Sequence, residues 1–286
     1  MKKFMRVSLI VSAVLILSGI LLAITGVLFG ASKSISYGAD GIEFDTGEDY
    51  HYESKQIDNI EHIKVNVENA KVEVLPSDGD YYKVEINLSD STAAPDVTFT
   101  DSTINIYQER EFKIFSMDFD FFTSENIIKI YVPENEDMDK INIETSNGSI
   151  NITQELEVNE LNIDTSNGKI QINGMVCENK ANVKSSNGSI VCNGTFMNST
   201  ELKTSNGKIE ISGKFYGNTY CKTSNGSVTV KLDEKETAYD VEADTSNGSV
   251  YVDDRKVSDE YSTNNSSEND LEVKTSNGSI RLYFKK

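Results

Sequence analysis

Side chains suited to nucleophilic, acid–base or metal chemistry are few and poorly spaced in this 286-residue sequence. The histidines are His51 and His62 alone, so a Ser-His-Asp triad would have to take its base from one of these two. No His pair and no Cys pair has metal-ligand spacing. The cysteines are Cys177, Cys192 and Cys221. Cys177 falls in a connecting segment, while Cys192 and Cys221 occupy core positions two units apart in a repeat. That is a separation of about 10 Å, too far for a disulfide without rearrangement. They read as buried small hydrophobes. Carboxylates are abundant but scattered over solvent-facing positions. Asp78-Gly79-Asp80 is too short for a calcium loop, and a glycine-rich calcium repeat would need a recurring Asp that this chain lacks. These residue types argue against catalysis, and neither a cofactor nor a metal is expected.

The charge balance removes another class. A net charge of −19 repels nucleic acid and anionic lipid headgroups, so no nucleic-acid partner is expected. Asn147, Asn187, Asn225, Asn247 and Asn277 each lie in Asn-Gly-Ser, formally a glycosylation acceptor. Glycans about every 5 Å would crowd, and turn geometry explains the triplets more simply. One segment looks costly for folding alone. Phe112–Phe122 (FKIFSMDFDFF) holds five Phe in eleven residues. It reads either as a cap that plugs the end of the domain or as an exposed contact through Phe115, Phe119, Phe121 and Phe122. Asp118 and Asp120 within it argue against deep insertion into lipid.

The elements that would position any such site come from a repeat. Ser-Asn-Gly occurs seven times, with its Asn at Asn147, Asn167, Asn187, Asn206, Asn225, Asn247 and Asn277. Successive glycines lie 20, 20, 19, 19, 22 and 30 residues apart, the mark of one short unit stacked on the next. Apolar residues fall two and four places after each glycine, as in Ile150 and Ile152 or Ile280 and Leu282. They fall again seven and five places before it, as in Ile141 and Ile143 or Leu271 and Val273. Period-two alternation of β-branched residues means strands with one buried face. Asn-Gly tolerates positive φ and so permits an antiparallel meander. Three features favour a parallel β-solenoid instead: near-identical turns whose Asn side chains could bond to those above and below, near-constant rung length, and a second corner at Gly174, Gly194 and Gly213. Seven rungs would make a rod or slab roughly 30 Å long.

Around this repeat the chain divides simply. Val7–Phe29 is 23 residues without a charge, long enough to cross a bilayer core of about 30 Å. Lys2, Lys3 and Arg6 precede it and no basic residue follows until Lys33, which places the N-terminus in the cytoplasm and the remainder outside. A cleaved signal peptide is the alternative, but its apolar core is typically about 7–15 residues and there is no clear Ala-x-Ala site. Residues 1–30 are therefore expected as a stub and signal-anchor helix, 31–58 as a tether, and 59–286 as the solenoid ectodomain. Within it, 59–138 read as irregular opening rungs, with Asn69-Ala70 where Asn-Gly sits later. Residues 139–286 read as regular rungs interrupted by a polar loop at 253–270, and the charged tail after Phe284 as a cap on the last edge.

The alternating pattern around Asn69-Ala70 and the Ser-Asn-Gly-x-Ile repeats after it resemble the bacterial putative-adhesin family of β-strand repeat domains of unknown function. The resemblance runs from about Ile60 to Tyr283. It implies an all-β, right-handed parallel solenoid, often attached to a membrane segment in cell-envelope proteins. Some members are similar to accessory proteins of envelope-stress signalling. The family has no established catalytic residues. The sequence is thus read as a single-pass membrane protein with a non-catalytic ectodomain, an interaction or stress-sensing accessory module for a membrane-protein or cell-wall partner. A surface adhesin is the alternative, and a carbohydrate-active enzyme a third.

Overall fold

The structure, a computed structural model, describes residues 2–28, 34–38, 41–45, 49–89, 94–109, 113–118, 126–134, 136–153 and 155–286. Most of them lie in strands, and two compact units form.

The first unit gathers Met1–Tyr50, Leu88–Ala94 and Arg110–Glu125. It contains the helix Lys2–Leu28. The hydroxyl of Ser18 bonds back to the Leu15 carbonyl (3.0 Å), and Thr25 to those of Leu21 and Leu22, so both polar groups are satisfied inside the helix. Leu15, Ile16, Leu17, Leu21 and Leu22 are all exposed, so the stretch Val11–Leu22 presents apolar side chains around its whole circumference. Its described side chains run unbroken only from Val11 to Leu22, twelve residues, and among the described residues no helix long and apolar enough to cross a membrane is shown. The same unit holds an antiparallel sheet in the order Gly41–Asp45, Ser34–Gly38, Lys113–Asp118. The stretch expected as a tether therefore carries strands, and so does part of the aromatic segment.

The second unit is the solenoid. One column of parallel strands runs Thr103–Tyr107, His62–Val67, Asp137–Thr145, Glu157–Thr165, 180–185, Ser199–Thr204, Asn218–Thr223, Asp270–Thr275, Asp240–Thr245. A second runs Ile127–Val132, Lys71–Pro76, Ile150–Ile152, 170–172, Ile190–Phe196, Ile209–Phe215, Val228–Leu232, Ile280–Tyr283, Val250–Val252. Nine rungs stack in register among the described residues. Equivalent side chains lie directly above one another, so the core is built of uniform columns such as Val72, Ile150, Ile170, Ile190, Ile209, Val228, Ile280 and Val250, all fully buried. The corner at Gly174 and Gly213 does take positive φ (74° and 118°), which favours glycine. Past it a short third side stacks Met138, Val158, Cys177, Phe196 and Phe215. The two phenyl rings stack at 4.9 Å. Cys177 therefore belongs to the core, where the sequence suggested a connecting segment. All three cysteines are free and buried.

Rung order departs from chain order. The last rung, 270–283, lies between rungs 218–232 and 240–252. The connection 233–239 steps over the place it fills, with a 3₁₀ turn at Glu236–Ala238. Residues 253–270, read as a loop, hold the strands Arg255–Ser258 and Glu260–Thr263. These pair antiparallel with Val250–Val252 and Asp240–Thr245 and close the stack. The other end is closed likewise by Asp96–Thr100 and 83–87. Antiparallel caps remove open parallel edges. The tail does not cap this edge: Phe284 packs near Tyr239 (6.3 Å between ring centres) and Lys285 N–H donates to Glu234 O.

Candidate binding surface

The Ser-Asn-Gly corners form a continuous ladder. Each Asn Nδ2 donates to the Oδ1 of the rung beneath. The order is Asn147 to Asn69 (2.6 Å), Asn167 to Asn147 (2.6 Å), Asn187 to Asn167 (2.7 Å), Asn206 to Asn187 (2.7 Å), Asn225 to Asn206 (2.8 Å), Asn277 to Asn225 (2.8 Å) and Asn247 to Asn277 (2.9 Å). All seven predicted turn residues are brought together, and Asn69 joins them. The reason for the glycine is not the one the sequence suggested. No Asn or Gly of these corners has positive φ. Instead, a Cβ on Gly188 would lie 1.7 Å from Gly168 O, and one on Gly207 would lie 1.9 Å from Gly188 O. Backbones stack too closely for any side chain. The true hairpin turns are Asp101-Ser102 and Asp253-Asp254, both with positive φ.

A second ladder went unnoticed in the sequence. Three residues before each glycine stands Thr or Ser: Thr145, Thr165, Ser185, Thr204, Thr223, Thr245 and Thr275. Each is buried. Thr165, Ser185, Thr204, Thr223, Thr275 and Thr245 donate to the glycine carbonyl of the neighbouring rung (2.8–3.3 Å). Thr165, Ser185 and Thr204 also accept from their own glycine N–H, at Gly168, Gly188 and Gly207, and Thr145 does so from Gly148. Their fixed place in an otherwise apolar inward pattern was the available signal.

The wet face of the first column carries the charge. Lys184 (3.2 Å) and Lys203 both reach Glu201. Partial burial pushes the Glu201 carboxyl up, but hydrogen bonds from Lys203 and Lys184 leave it below its ordinary range. Lys203 also sits 5.0 Å over the Tyr220 ring. Beyond Tyr220 the face opens into a groove of about 970 Å³ lined by Asp240, Glu242, Asp244, Glu260, Tyr261 and Glu272, among others. Lys274 pairs with two of the lining carboxylates, 3.0 Å from Glu242 and 2.5 Å from Glu272; hydrogen bonds to Glu272 and Glu242 raise its pKa. Tyr261 donates to the Glu236 carboxylate. Burial, then that bond, push its phenol up to about 12. Glu242 and Glu272 are thus committed to an ion pair and do not form a free acid–base couple.

The other candidates are dispersed. Phe115 lies in Lys113–Asp118, opposite Tyr37; Phe119, Phe121 and Phe122 fall outside the described residues. His51 Nδ1 is hydrogen-bonded to Asn87 Oδ1, and His62 Nδ1 lies 3.7 Å from Asp139. Among the described residues no group of His, Cys, Asp or Glu is arranged to hold a metal ion.

The Toastrack DUF4097 profile matches residues 60–215, more than half of the chain. The chain belongs to the Toastrack DUF4097 family. The putative-adhesin resemblance of the sequence agrees with this assignment. No curated protein matches. The Toastrack fold is similar to crystal structures of a putative cell adhesion protein from Clostridium sporogenes (15% identity, 83% of this chain and 100% of that one, TM-score 0.41) and a putative adhesin from Bacteroides fragilis (15%, 82% and 97%, 0.44). It is also similar to a putative lipid binding protein from Parabacteroides distasonis (15%, 84% and 98%, 0.26). At these TM-scores the likenesses carry no argument about what a Toastrack domain binds.

Proposed function

We propose that the chain is a non-catalytic, membrane-anchored, extracytoplasmic interaction module of the cell envelope, a stress-sensing accessory that contacts a membrane-protein partner. The observation that carries this reading is the groove beyond Tyr220. It is an acidic recess floored by in-register strands and rimmed by Tyr220 and Tyr261, suited to a basic or hydroxyl-rich segment of a partner protein. The apolar stretch of the helix and the basic residues that precede that stretch support the anchor. The test is photo-crosslinking in cells, with the probe at Glu242, at Phe119 and at the exposed Lys208 beside the Ser-Asn-Gly corner. A discrete membrane-protein adduct at Glu242 or Phe119 supports the accessory module. Probe-independent background at all three sites ends it.

A second reading, an adhesin for a wall or external polymer, rests on one observation. Asn142, Asn162 and Asn182 stack in register on the outward face of the first column, each half-buried. Amides repeated at rung spacing suit a polymer with repeating hydroxyls. Adducts to wall material at a probe on Asn162 would favour it.

A further inference from the structure

An Asn-Gly pair can lose its side-chain amide without an enzyme, because a glycine nitrogen approaches the preceding carboxamide unhindered by a side chain. This chain has seven such pairs, and the stack does not treat them alike. At Gly148, Gly168, Gly188 and Gly207 the nitrogen is tied, its N–H donating to a Thr or Ser Oγ at 2.8–3.2 Å. Among the described residues, no acceptor takes the N–H of Gly226, Gly278 or Gly248. The carboxamides differ as well. From Asn147 to Asn277 each is held at both ends, donating through Nδ2 and accepting at Oδ1. Asn247 ends the ladder: its Nδ2 donates to Asn277 and, among the described residues, no side chain donates to its Oδ1. The cap does not cover it. Opposite Ser246–Ser249 the antiparallel cap supplies only Asp259, which accepts from Thr245 N–H, before Ser258 pairs with Val250. Ser246, Asn247 and Gly248 are exposed.

We propose that Asn247 is a spontaneous deamidation site, and that the ladder directs this modification from its free end inward. The Gly248 nitrogen gives its proton to solvent base and bonds to Asn247 Cγ. The Cγ–Nδ2 bond breaks as Nδ2 takes a proton back from solvent, and ammonia leaves. Water then opens the resulting succinimide at one of its two carbonyls, giving aspartate or isoaspartate; nothing is oxidised or reduced. The new carboxylate cannot donate to Asn277 Oδ1. Asn277 then stands as Asn247 stood, held only by its bond to Asn225 (2.8 Å) and followed by an untied Gly278 nitrogen. The four inner sites keep both clamps.

The test is ageing of the folded full chain in mildly alkaline buffer, with peptide mapping by mass spectrometry at all seven sites. Two extra hydrogen bonds of typical net strength slow a reaction by about thirtyfold, so Asn247 should convert about that much faster than Asn167. Asn277 should follow, converting about fivefold faster in molecules already converted at Asn247, where the single bond to its Oδ1 is gone. The same chain in concentrated urea should convert at all seven sites at similar rates. A folded chain in which Asn167 keeps pace with Asn247, or a urea-unfolded chain that keeps the folded order, overturns the proposal. Thr204→Val, which frees the Gly207 nitrogen, should accelerate Asn206 and leave Asn247 unchanged; no acceleration in the folded variant refutes the role of the clamp.

Discussion

Replacing Gly207 by Ala tests the stacked-corner account most directly, because the sign of the effect separates two explanations. At an unstrained negative φ without close neighbours, Gly→Ala stabilises a protein by about 0.4–1 kcal/mol through the unfolded chain. In the stack, the new Cβ would lie 1.9 Å from Gly188 O and 2.9 Å from Ser189 Cα, against an ordinary C···O approach of about 3.3 Å. The corner must open by more than an ångström. That strains the bonds from Thr204 Oγ1 to Gly188 O (2.9 Å), Gly207 N to Thr204 Oγ1 (3.2 Å), Asn206 Nδ2 to Asn187 Oδ1 (2.7 Å) and Asn206 N to Ser186 O (3.0 Å). At about 1 kcal/mol net for each bond, less the unfolded-state gain, the cost is about 3 kcal/mol. Urea unfolding followed by circular dichroism measures it. Hydrogen exchange localises it, with lost protection at rungs 180–196 and 199–215 and none lost at 62–76, since each rung touches only its neighbours. Unchanged or raised stability would refute the close-approach argument.

Asn206→Ala removes two exposed ladder bonds and should cost about 1–2 kcal/mol, whereas Asn247→Ala removes one and should cost half as much or less; equal losses in urea titrations would contradict a ladder with ends. Phe215→Ala, which empties a fully buried site stacked on Phe196 at 4.9 Å, should cost about 3–5 kcal/mol, and a cost below 1 kcal/mol by the same titration would show the third side to be loosely packed. Burial pushes the Cys177 thiol up to about 11 and the Cys221 thiol up to about 12 from an ordinary 9.0. Native thiols should therefore resist a soluble maleimide. Because the folded state holds these protons more tightly, the associated stability is fully present below pH 9.0 and is lost as pH rises toward about 11 and 12. Cys221→Ala should flatten that fall in melting temperature, and an unaltered slope would count against it.

The columns of the core were legible in the sequence because a parallel stack repeats its pattern at every rung. Ile150, Ile170, Ile190 and Ile209 announce the same buried position four times over. The Asn ladder was legible for the same reason. The role of Gly was misread, since positive φ and close backbone approach both select glycine and only coordinates separate them. Thr204 and its equivalents were hidden because a buried Thr in a strand pattern looks like an ordinary β-former until its acceptor is seen across the rung. The cap strands at 83–87, 96–100 and 255–263 break the period, so the repeat could not report them. The groove was illegible for a different reason. Tyr220, Glu242, Glu272 and Tyr261 come from four separate strands, and their assembly depends on rung order.

That order is the part the repeat itself cannot encode. Near-identical corners would accept rung 240–252 directly on rung 218–232 as readily as they accept 270–283, so selection between the two must come from residues outside the repeat. Several point the same way. The connection 233–239 is longer than the two residues, Tyr216 and Gly217, that join the preceding rungs, long enough to pass over a rung. Asn269 pins the inserted rung from both sides, with its Oδ1 taking the Gly217 N–H (2.8 Å), its Nδ2 donating to Ala238 O (2.9 Å) and its carbonyl accepting from Asp240 N–H (2.8 Å). Tyr239 and Phe284, both buried, pack beside the skipped connection. The hairpin turned by Asp253-Asp254 runs antiparallel along Val250–Val252, which commits that strand to the end of the stack and leaves the interior slot to the tail. A repeat supplies the affinity of rung for rung, and a few singular residues decide which rung goes where.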